Sequence, residues 1–165
     1  MKKLLVIGRG QYSYVVEEIA KSVFDFVDFL DDNAPKENGV IGKIQDYVNY
    51  VNEYEYAVVS IGNPTVRLDL TEKLENAGYK IPKLISEKAH VSKTAKLGDG
   101  CVVEPMAVIN PNTVIEKCSL ISAGAIVNHN STLKAGCHID CGAVVASNTT
   151  VEEKTKVPNG TVYKA

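Results

Sequence analysis

Two of the three histidines in the chain, His129 and His138, lie nine residues apart in the segment AIVNHNSTLKAGCHID, residues 125–140. A histidine side chain titrates near neutral pH and can accept a proton from an attacking hydroxyl or amine, so these residues are candidate general bases. Asn130, or a nearby backbone carbonyl, could hold the His129 ring in the tautomer that a base requires. Nearby serines supply hydroxyls, but their spacing indicates no Ser–His–Asp arrangement.

The segment belongs to a hexapeptide repeat that runs from Ala89 towards the end of the chain. Cut in sixes from Ala89, the repeat has twelve consecutive branched aliphatic residues at its third position, from Val91 to Val157. Its first position holds only Ala, Cys, Ser or Thr. In a strand these two positions point to the same side. The pattern therefore predicts a parallel β-helix of about four coils, each made of three hexads.

In this frame the two histidines lie on different parts of the coil. His129 occupies a fifth position, at a corner, with Ser147 one coil above it, whereas His138 occupies an outward second position on another face. We expect them to meet only across a subunit seam, or to serve separate parts of a long ligand. Two other readings stay open. The histidines could be surface residues without a chemical role. They could also bind zinc, but such a site needs three histidines from neighbouring faces, and the third histidine, His90, lies in the distant first coil.

The other positions of the repeat predict a core and an interface. One inward column recurs at 18-residue intervals and contains Cys101, Ser119, Cys137 and Thr155. Its cysteines are therefore expected to be small core residues rather than catalytic or metal-binding ones. The outward second position carries two apolar columns, which are Val108, Ile126 and Val144, and Val102 with Leu120. Such an outer face predicts a buried contact between subunits, for which we expect three-fold closure.

Residues 1–86 show a different pattern, in which short apolar strands alternate with helices. Strands are predicted at 4–7, 24–30, 57–61 and 81–85, and helices at 15–23 and between Asn63 and Gly78. Asn63 can cap the second helix, Pro64 suits its first turn and Gly78 can end it. The apolar face of that helix is expected to contain Val66, Leu70, Leu74 and Ala77. The alternation predicts a small parallel α/β sheet, and hence two domains, residues 1–86 and residues 87–165.

A glycine-containing loop, Gly8 to Ser13, follows the first strand. Glycines allow a tight turn there, and the start of the next helix offers N–H groups to a phosphate. The dinucleotide fingerprint has a third glycine where Ser13 stands, so a purely structural turn stays open. Asp31 and Asp32 follow about twenty residues later, where an acidic residue would meet a ribose. The alternative there is a solvated turn. Arg67 is expected on a solvated helix face, with phosphate binding as the second reading.

The composition restricts the class of function. The chain has 165 residues, with 18 Lys and Arg against 20 Asp and Glu, and a formal net charge of -2. This balance gives no electrostatic reason to expect nucleic acid or an anionic membrane as a partner. No apolar run approaches the roughly 18 residues that span a bilayer. The start, MKKLLVIGRG, has neither the long apolar run nor the cleavage site of a secretory signal. We therefore expect a cytoplasmic protein.

An α/β domain that leads into an uninterrupted run of hexads, with NHN near its end, resembles the bacterial nucleotide-sugar acetyltransferases. This family includes N-acetyltransferases of UDP-4-amino sugars and the related sialic acid O-acetyltransferases. The motifs that carry the resemblance are VIGRGQYSYVVEEIA, FLDDN, SIGNPTVR and the hexads, which together extend over nearly the whole chain. The resemblance implies a Rossmann-like amino-terminal domain followed by a left-handed β-helix. It also implies a homotrimer that binds acetyl-CoA along the seam between neighbouring β-helices, with no metal.

The same resemblance assigns roles to residues of the β-helix. It implies that His129 removes a proton from the sugar amine or hydroxyl as it attacks the thioester of acetyl-CoA. His138 would contact the thioester region of acetyl-CoA. A backbone N–H near Ser147 would face the developing oxyanion, a contribution of about 3 kcal/mol in comparable sites.

In the amino-terminal domain the resemblance implies a pocket for the sugar nucleotide. Its expected residues are Gly8, Gly10, Tyr12 and Ser13 near the diphosphate and the sugar, Asp31 and Asp32 near the nucleoside, and Gly62 and Asn63 along the cleft. Tyr12 stands where the family often has a histidine.

Three features depart from the family pattern. Asn130 stands where the family usually has an acidic residue, and an amide can orient an imidazole but cannot stabilise imidazolium by charge. Ser147 stands where the family commonly has glycine. Family members usually continue for one or two coils beyond the segment VPNGTVYKA, so we expect a shortened coenzyme A site.

These patterns together predict an acetyl-CoA-dependent enzyme that acetylates the amino group of a nucleotide-linked amino sugar. We expect direct attack without an acyl-enzyme, because no activated Ser or Cys is evident. One alternative is O-acetylation of a sugar of the sialic acid type. Another is a sugar-nucleotide-binding trimer with reduced catalysis. The nucleobase, the sugar and the pathway stay open.

Overall fold

The chain divides after Pro82 in the computed structural model, which describes residues 1–164. The first unit is a parallel sheet with helices between its strands. Its strands are β1 (Lys3–Ile7), β2 (Phe26–Leu30), β3 (Val40–Gly42) and β4 (Tyr56–Val59). Its helices are α1 (Ser13–Ala20), α2 (Tyr47–Tyr50) and α3 (Pro64–Asn76), with 3₁₀ turns at Lys36–Asn38 and Ile44–Asp46. The strand order is β3-β2-β1-β4, so the connections change direction at β1.

The sheet differs from the sequence-based expectation in two strands, one of which was missed and one of which belongs elsewhere. Strand β3 was not predicted, because it has only three residues and lies between a glycine and a lysine that interrupt any apolar pattern. The segment 81–85 was expected to form the last strand of the sheet. Instead, Leu84–Ile85 pairs in parallel with Val102–Val103 and belongs to the repeat that follows. The β1 strand, with Leu4 to Ile7 at most 1% exposed, is the apolar run expected of a strand covered on both faces.

Helix α3 begins and ends where the sequence indicated, and most of its expected apolar face, namely Leu70, Leu74 and Ala77, lies in or against the core. Asn63 Oδ1 accepts hydrogen bonds from the backbone N–H groups of Thr65 and Val66, at 3.0 and 3.1 Å, which confirms the predicted cap. Val66 is 41% exposed, although it was expected on the apolar face. The buried residues of the helix are Arg67, Thr71 and Leu74.

Arg67, which was expected in solvent, is 1% exposed. One nitrogen of its guanidinium donates to the carbonyl oxygens of Ile61 and Gly62, at 2.9 and 2.8 Å. These carbonyls belong to the loop before α3, where buried backbone oxygens need donors. The prediction of a solvated Arg67 is therefore wrong, because the side chain satisfies this loop from inside the unit.

The second unit begins at Lys83 and consists of two-residue strands that recur every six residues. They are β5 (Leu84–Ile85), β6 (His90–Val91), β7 (Lys96–Leu97), β8 (Val102–Val103), β9 (Val108–Ile109), β10 (Val114–Ile115), β11 (Leu120–Ile121), β12 (Ile126–Val127), β13 (Thr132–Leu133), β14 (His138–Ile139), β15 (Val144–Val145), β16 (Thr150–Val151), β17 (Lys156–Val157) and β18 (Val162–Tyr163). They form three parallel sheets, ordered β16-β13-β10-β7, β17-β14-β11-β8-β5 and β18-β15-β12-β9-β6. Each strand pairs with the strand 18 residues away, as Ile126 does with Val108. The prediction of a Rossmann-like sheet followed by a left-handed parallel β-helix is confirmed.

The corners of the β-helix are formed by the sixth position of each hexad. Every sixth residue from Gly100 to Gly160 has a positive φ, between 57° and 71°. Glycine and asparagine adopt this left-handed conformation most readily, and they fill eight of these eleven positions. The corner residues therefore stack in columns, one residue from each coil.

The core of the β-helix consists of the branched residues at the third position of each hexad, which point inward from all three sheets. From Val103 to Val157, every third-position residue is at most 1% exposed. Cys101 and Cys137 are fully buried among them, and burial raises the pKa of the Cys101 thiol to about 12. A thiol with this pKa is hardly ionised at neutral pH, which supports the interpretation of these cysteines as core residues.

The outward second positions are only partly as expected. Val102 and Leu120, which the sequence assigned to an outer face covered by a second subunit, are already fully buried within the single chain. Val108, Ile126 and Val144 keep partial exposure. Among residues 1–164, no helix has the length and apolar character needed to cross a bilayer.

Candidate functional site

His129 lies at a corner of the β-helix, two residues after β12. Its side chain is exposed, and its Nδ1 atom lies 3.2 Å from Nδ2 of Asn130. Asn130 occupies the left-handed corner position, with φ at +58°. The carbonyl of His129 accepts a hydrogen bond from the backbone N–H of Asn148, one coil further along, at 3.1 Å. The backbone on which the imidazole stands is therefore held by the coil above it.

Asn130 is the middle member of a column of three asparagines, which we call the asparagine ladder (Asn112, Asn130 and Asn148). Nδ2 of Asn112 donates to Oδ1 of Asn130 at 3.1 Å, and Nδ2 of Asn130 donates to Oδ1 of Asn148 at 3.3 Å. Sequence reasoning singled out only Asn130. The 18-residue spacing of the other two was the available signal, because the repeat places residues 18 apart in one column.

His138 lies in β14, on a different sheet from the strand that leads to His129. Its Nε2 atom is 3.0 Å from Oγ of Ser122 and 3.7 Å from Oδ1 of Asp140. In a catalytic Ser–His–Asp triad, the serine and the aspartate contact different ring nitrogens. Here both lie at the same nitrogen, and Ser122 is only 2% exposed. The cluster therefore orients His138 and does not make Ser122 a nucleophile.

Asp140 supplies a negative charge beside His138. Burial alone would raise the pKa of its carboxyl, but hydrogen bonds from Lys156 and from the backbone N–H of Cys141, with His138 nearby, lower that pKa below its ordinary value. Nζ of Lys156 lies 2.9 Å from the carboxylate. Asp140 is therefore ionised at neutral pH and fixed between a lysine and a histidine.

The structure brings some of the expected residues of the β-helix together and keeps others apart. His129 and Asn130 are adjacent, and Ser147 occupies the same corner position one coil further along. His138 stands on another face, as the repeat predicted. No group of three or more His, Cys, Asp and Glu side chains that could hold a metal ion occurs in the described part of the chain.

In the first unit, the expected site residues follow the carboxyl ends of β1, β2 and β4, which meet at one edge of the sheet. Ligands of open α/β sheets bind at such an edge, beside the strand where the connections change direction. Gly8 comes directly after β1 and has φ at +101°. A Cβ atom at this position would lie 2.8 Å from Cγ1 of Ile61, so only glycine fits.

Asp31 shapes this edge through backbone contacts. One carboxylate oxygen accepts from the N–H of Arg9 at 2.7 Å, and the other accepts from the N–H groups of Asn33 and Ala34, at 2.8 and 2.7 Å. Burial acts to raise the pKa of Asp31, and these three donors outweigh it and lower the pKa. Asp31 therefore ties the loop after β2 to the loop after β1.

Asp32 is exposed and borders a cavity of about 450 Å³ at the ends of β2 and β3. The charged residues that line this cavity are Asp31, Asp32, Lys36, Lys43 and Asp46. Oδ1 of Asp32 accepts a hydrogen bond from the N–H of Ile44 at 3.1 Å. The two lysines and Asp46 were not identified from the sequence, because β3, which brings them to the edge, was not predicted.

The loop between β1 and α1 uses Ser13 to close its own turn. Ser13 is fully buried, and its hydroxyl donates to the carbonyl of Gly10 at 2.7 Å. Gly10 is exposed, and Tyr12 is half-buried at the start of α1. On the other side of the edge Gly62 is exposed, and Oδ1 of Asn63 is occupied by the cap of α3.

Arg9 is a part of this edge that sequence reasoning missed. Its guanidinium lies between the rings of Tyr14 and Phe29, 4.4 and 4.0 Å from their centroids. It also pairs with Glu17 at 2.6 Å. The side chain of Arg9 is only 8% exposed, so it packs beneath the loop between β1 and α1 and does not face solvent.

The chain is similar in sequence and structure to several known proteins. Residues 3–74 match the family model described as the PglD N-terminal domain. The acetyltransferase domain of PglB from Neisseria gonorrhoeae FA1090 is 31% identical, with a TM-score of 0.93 over 98% of this chain and 82% of that one. The same domain in complex with acetyl coenzyme A is 32% identical, with a TM-score of 0.92 over 98% and 81%. PerB from Caulobacter crescentus, in complex with CoA and GDP-perosamine, is 25% identical, with a TM-score of 0.88 over 98% and 83%.

A small parallel sheet followed by a left-handed β-helix of hexapeptide repeats is the fold that this chain shares with these acetyltransferases. The identity to the PglB domain over nearly all of the chain narrows the class further. The chain belongs to the nucleotide-sugar acetyltransferases of the hexapeptide-repeat family, and the resemblance in its sequence is confirmed.

Proposed function

We propose that the protein transfers the acetyl group of acetyl-CoA to the amino group of a nucleotide-linked amino sugar. The observation that carries the proposal is the match of 98% of the chain to two acetyltransferases. One, the PglB domain, is described with acetyl coenzyme A, and the other, PerB, with CoA and GDP-perosamine. Because this chain matches both structures over nearly its whole length, the match supports one site for acetyl-CoA and one for a nucleotide sugar.

His129 is the general base in this proposal. The sugar amine attacks the thioester carbonyl of acetyl-CoA and His129 takes the amine proton, while coenzyme A leaves as a thiolate that is then protonated. The position of His129 supports this role, because its ring is exposed at a corner and contacts Asn130 through Nδ1. Nε2 is then the ring nitrogen that faces the substrate.

His138 and Ser147 are proposed to act on acetyl-CoA. Contact with Ser122 fixes the ring of His138, which suits a residue that must meet the thioester region in one orientation. A backbone N–H near Ser147 is proposed to face the oxyanion that forms at the thioester carbonyl. Its place one coil above His129, on the same corner, supports this role.

The sugar nucleotide is proposed to bind at the carboxyl edge of the first unit. The loop with Gly8, Gly10, Tyr12 and Ser13 would approach the diphosphate and the sugar, because a helix start presents N–H groups to anions. Asp32 borders the 450 Å³ cavity and is the candidate contact for the nucleoside. Asp31 holds the shape of the site through its three backbone donors. Gly62 and Asn63 would line the opposite side.

We further propose that the enzyme is a homotrimer in the cytoplasm, where acetyl-CoA is available. The outward column Val108, Ile126 and Val144 keeps partial exposure, and Val162, next in that column, is 58% exposed. A row of aliphatic side chains on one face supports contact with a second β-helix. Such a contact would give exposed His129 the opposite wall of a cleft.

The proposal is tested with the purified protein, ¹³C-labelled acetyl-CoA and a panel of nucleotide sugars that carry either an amine or a hydroxyl at the acceptor position. We expect release of the coenzyme A thiol and a product that is one acetyl group heavier only with the amines. Treatment with hydroxylamine should leave the product intact, because it cleaves esters and not amides. Acetylation of the hydroxyl sugars instead would show an O-acetyltransferase. Tight nucleotide-sugar binding without thiol release would show a binding protein.

A further inference from the structure

The members of the asparagine ladder are held in register by the backbone of the β-helix. Asn112, Asn130 and Asn148 have nearly equal φ values of 59°, 58° and 58°. The backbone N–H of Asn130 donates to the carbonyl of Pro111, and that of Asn148 donates to the carbonyl of His129, both at 3.1 Å. The three side chains therefore start from equivalent points, about 4.8 Å apart along the axis.

The ladder has two possible directions. The oxygen and the NH₂ group of an asparagine differ in hydrogen bonding but hardly in size. Turning Asn130 alone would place two NH₂ groups 3.1 Å apart at Asn112 and two oxygens 3.3 Å apart at Asn148. Turning all three together keeps both hydrogen bonds and reverses their direction. The carboxamides of the ladder therefore change direction as a unit.

The direction of the ladder decides which nitrogen of His129 carries the proton. In the structure Nδ2 of Asn130 faces Nδ1 of His129 at 3.2 Å. Nδ1 must then accept, so the proton of the neutral ring is on Nε2, which cannot act as a base. In the reversed ladder Oδ1 of Asn130 accepts from the N–H at Nδ1. Nε2 then has a lone pair, and the imidazolium formed on proton transfer keeps the same hydrogen bond.

We propose that Asn112 and Asn148 are positioning residues that, through Asn130, select the tautomer of His129; this inference rests on the proposed role of His129 as the base. The ladder runs from Asn112 to Asn148 in the resting structure and in the opposite direction in the reactive state. In the reactive state Asn130 then takes the place of a carboxylate beside the base. Its neighbours in the ladder determine whether its Oδ1 or its Nδ2 faces the imidazole ring.

A second asparagine column shows what a fixed direction looks like. Nδ2 of Asn110 donates to Oδ1 of Asn128 at 3.3 Å, and Nδ2 of Asn128 donates to the backbone carbonyl of Val145 at 3.1 Å. A carbonyl oxygen can only accept, so this column is locked in one direction. It occupies the fourth position of the same coils and supplies a control site for the ladder.

The inference is tested by replacing each end of the ladder with aspartate. An ionised carboxylate only accepts hydrogen bonds, and aspartate tolerates the left-handed corner. Asn112→Asp draws Nδ2 of Asn130 towards residue 112, turns Oδ1 towards His129 and holds the proton on Nδ1. Asn148→Asp draws Nδ2 of Asn130 towards residue 148 and holds the proton on Nε2. The two variants add the same charge one coil below and one coil above Asn130, yet they favour opposite tautomers.

The readouts are the ¹⁵N spectrum of His129 in ¹⁵N-histidine-labelled protein and the turnover number. We expect Asn112→Asp to shift His129 to the Nδ1–H tautomer with kcat kept or raised. We expect Asn148→Asp to shift it to the Nε2–H tautomer and to lower kcat by roughly 10-fold. Asn110→Asp, in the locked column, should leave the His129 spectrum unchanged. His129→Gln identifies the His129 signals, and thermal unfolding of each variant checks its fold.

Equal tautomer populations in the two aspartate variants would overturn the inference, as would changes of kcat in the same direction. The spectrum separates this failure from that of the proposed function. If His129→Gln leaves turnover unchanged, the role of His129 as base is wrong, and the ladder is still tested by the tautomers. If His129→Gln abolishes turnover and the tautomers do not respond, only the ladder inference is wrong.

Discussion

The hydroxyl oxygen of Ser122 lies 3.0 Å from Nε2 of His138, across the parallel pair of strands β11 and β14. Ser122 is 2% exposed, so this hydroxyl can serve the histidine but cannot reach a substrate. His138 in turn lies beside an ionised Asp140 held by Lys156. The orientation of one histidine therefore depends on two adjacent coils.

Together with the proposed contact of His138 with acetyl-CoA, this relationship predicts a binding defect when Ser122 is changed to alanine. Loss of one hydrogen bond should loosen the ring of His138 and raise the KM for acetyl-CoA by roughly 5-fold, with a smaller effect on kcat. Steady-state kinetics with varied acetyl-CoA measure both constants. Ser119→Ala is the matched control, because its hydroxyl donates to the carbonyl of Glu116 inside the coil. Equal KM changes in the two variants would argue against an orienting role for Ser122.

Asp31 should stabilise the first unit in a pH-dependent way. Burial acts to raise the pKa of Asp31, but hydrogen bonds from three backbone N–H groups lower this pKa below its ordinary value in the folded state. Its contribution to stability is therefore present above the unfolded pKa and is lost as pH falls through the folded pKa. We expect Asp31→Asn to reduce the free energy of unfolding by about 2 kcal/mol at pH 7. Below the folded pKa of Asp31, the free energy of unfolding of Asp31→Asn should approach that of the unmodified protein.

Urea unfolding across this pH range measures the effect. Asp69→Asn is the control, because the Asp69 pair with Lys73 is exposed and such pairs contribute little. A destabilisation by Asp31→Asn that is the same at pH 7 and in acid would show that the charge of Asp31 is not what holds the two loops.

Two glycines of the loop after β1 should respond differently to a methyl group. Gly8→Ala places a Cβ atom 2.8 Å from Ile61 at a φ of +101°, and should destabilise the protein by about 2 kcal/mol or more. Gly10→Ala meets nothing within 4 Å, so stability should change by less than about 1 kcal/mol. Thermal unfolding of the two variants compares them. A tolerated Gly8→Ala would mean that this turn is looser than the structure indicates.

The four cysteines should divide sharply in reactivity. Cys101, Cys118 and Cys137 are buried and Cys141 is exposed, and burial raises the pKa of Cys101 to about 12. A disulfide reagent that detects thiols should therefore label one thiol per native chain and four per unfolded chain. Cys141→Ser should abolish the native labelling. Rapid reaction of a second thiol in the native protein would contradict the closed core of the β-helix.

The β-helix was predictable because its physical rule is strictly local. Every sixth residue must turn a corner, and every third position of a hexad must fill a narrow interior, so a single sequence shows the period. The columns Val108–Ile126–Val144 and Cys101–Cys137 followed directly from it. The period also places Asn112, Asn130 and Asn148 in one corner column, but it does not give the direction of their side chains, so the hydrogen bonds of the asparagine ladder were not predicted.

The errors in the first unit have tertiary causes. Arg67 is buried because the carbonyls of Ile61 and Gly62 need donors, and a helical pattern gives no sign of such a demand from a preceding loop. The position of Arg9 between Tyr14 and Phe29 joins residues of a loop, a helix and a strand, which no spacing rule connects. By contrast, the cap at Asn63 was predictable because Asn followed by Pro is a local signal.

The turnover of the His129→Ala variant, measured as release of the coenzyme A thiol in the presence of the amino-sugar nucleotide that the panel identifies, tests the central claim most directly. The matched control is His90→Ala, which removes an exposed histidine from the first coil of the same repeat. We predict that His129→Ala lowers kcat by roughly 100-fold or more, with the affinity for the sugar nucleotide kept, and that His90→Ala turns over normally. A His129→Ala enzyme that is as fast as the unmodified protein would contradict the account.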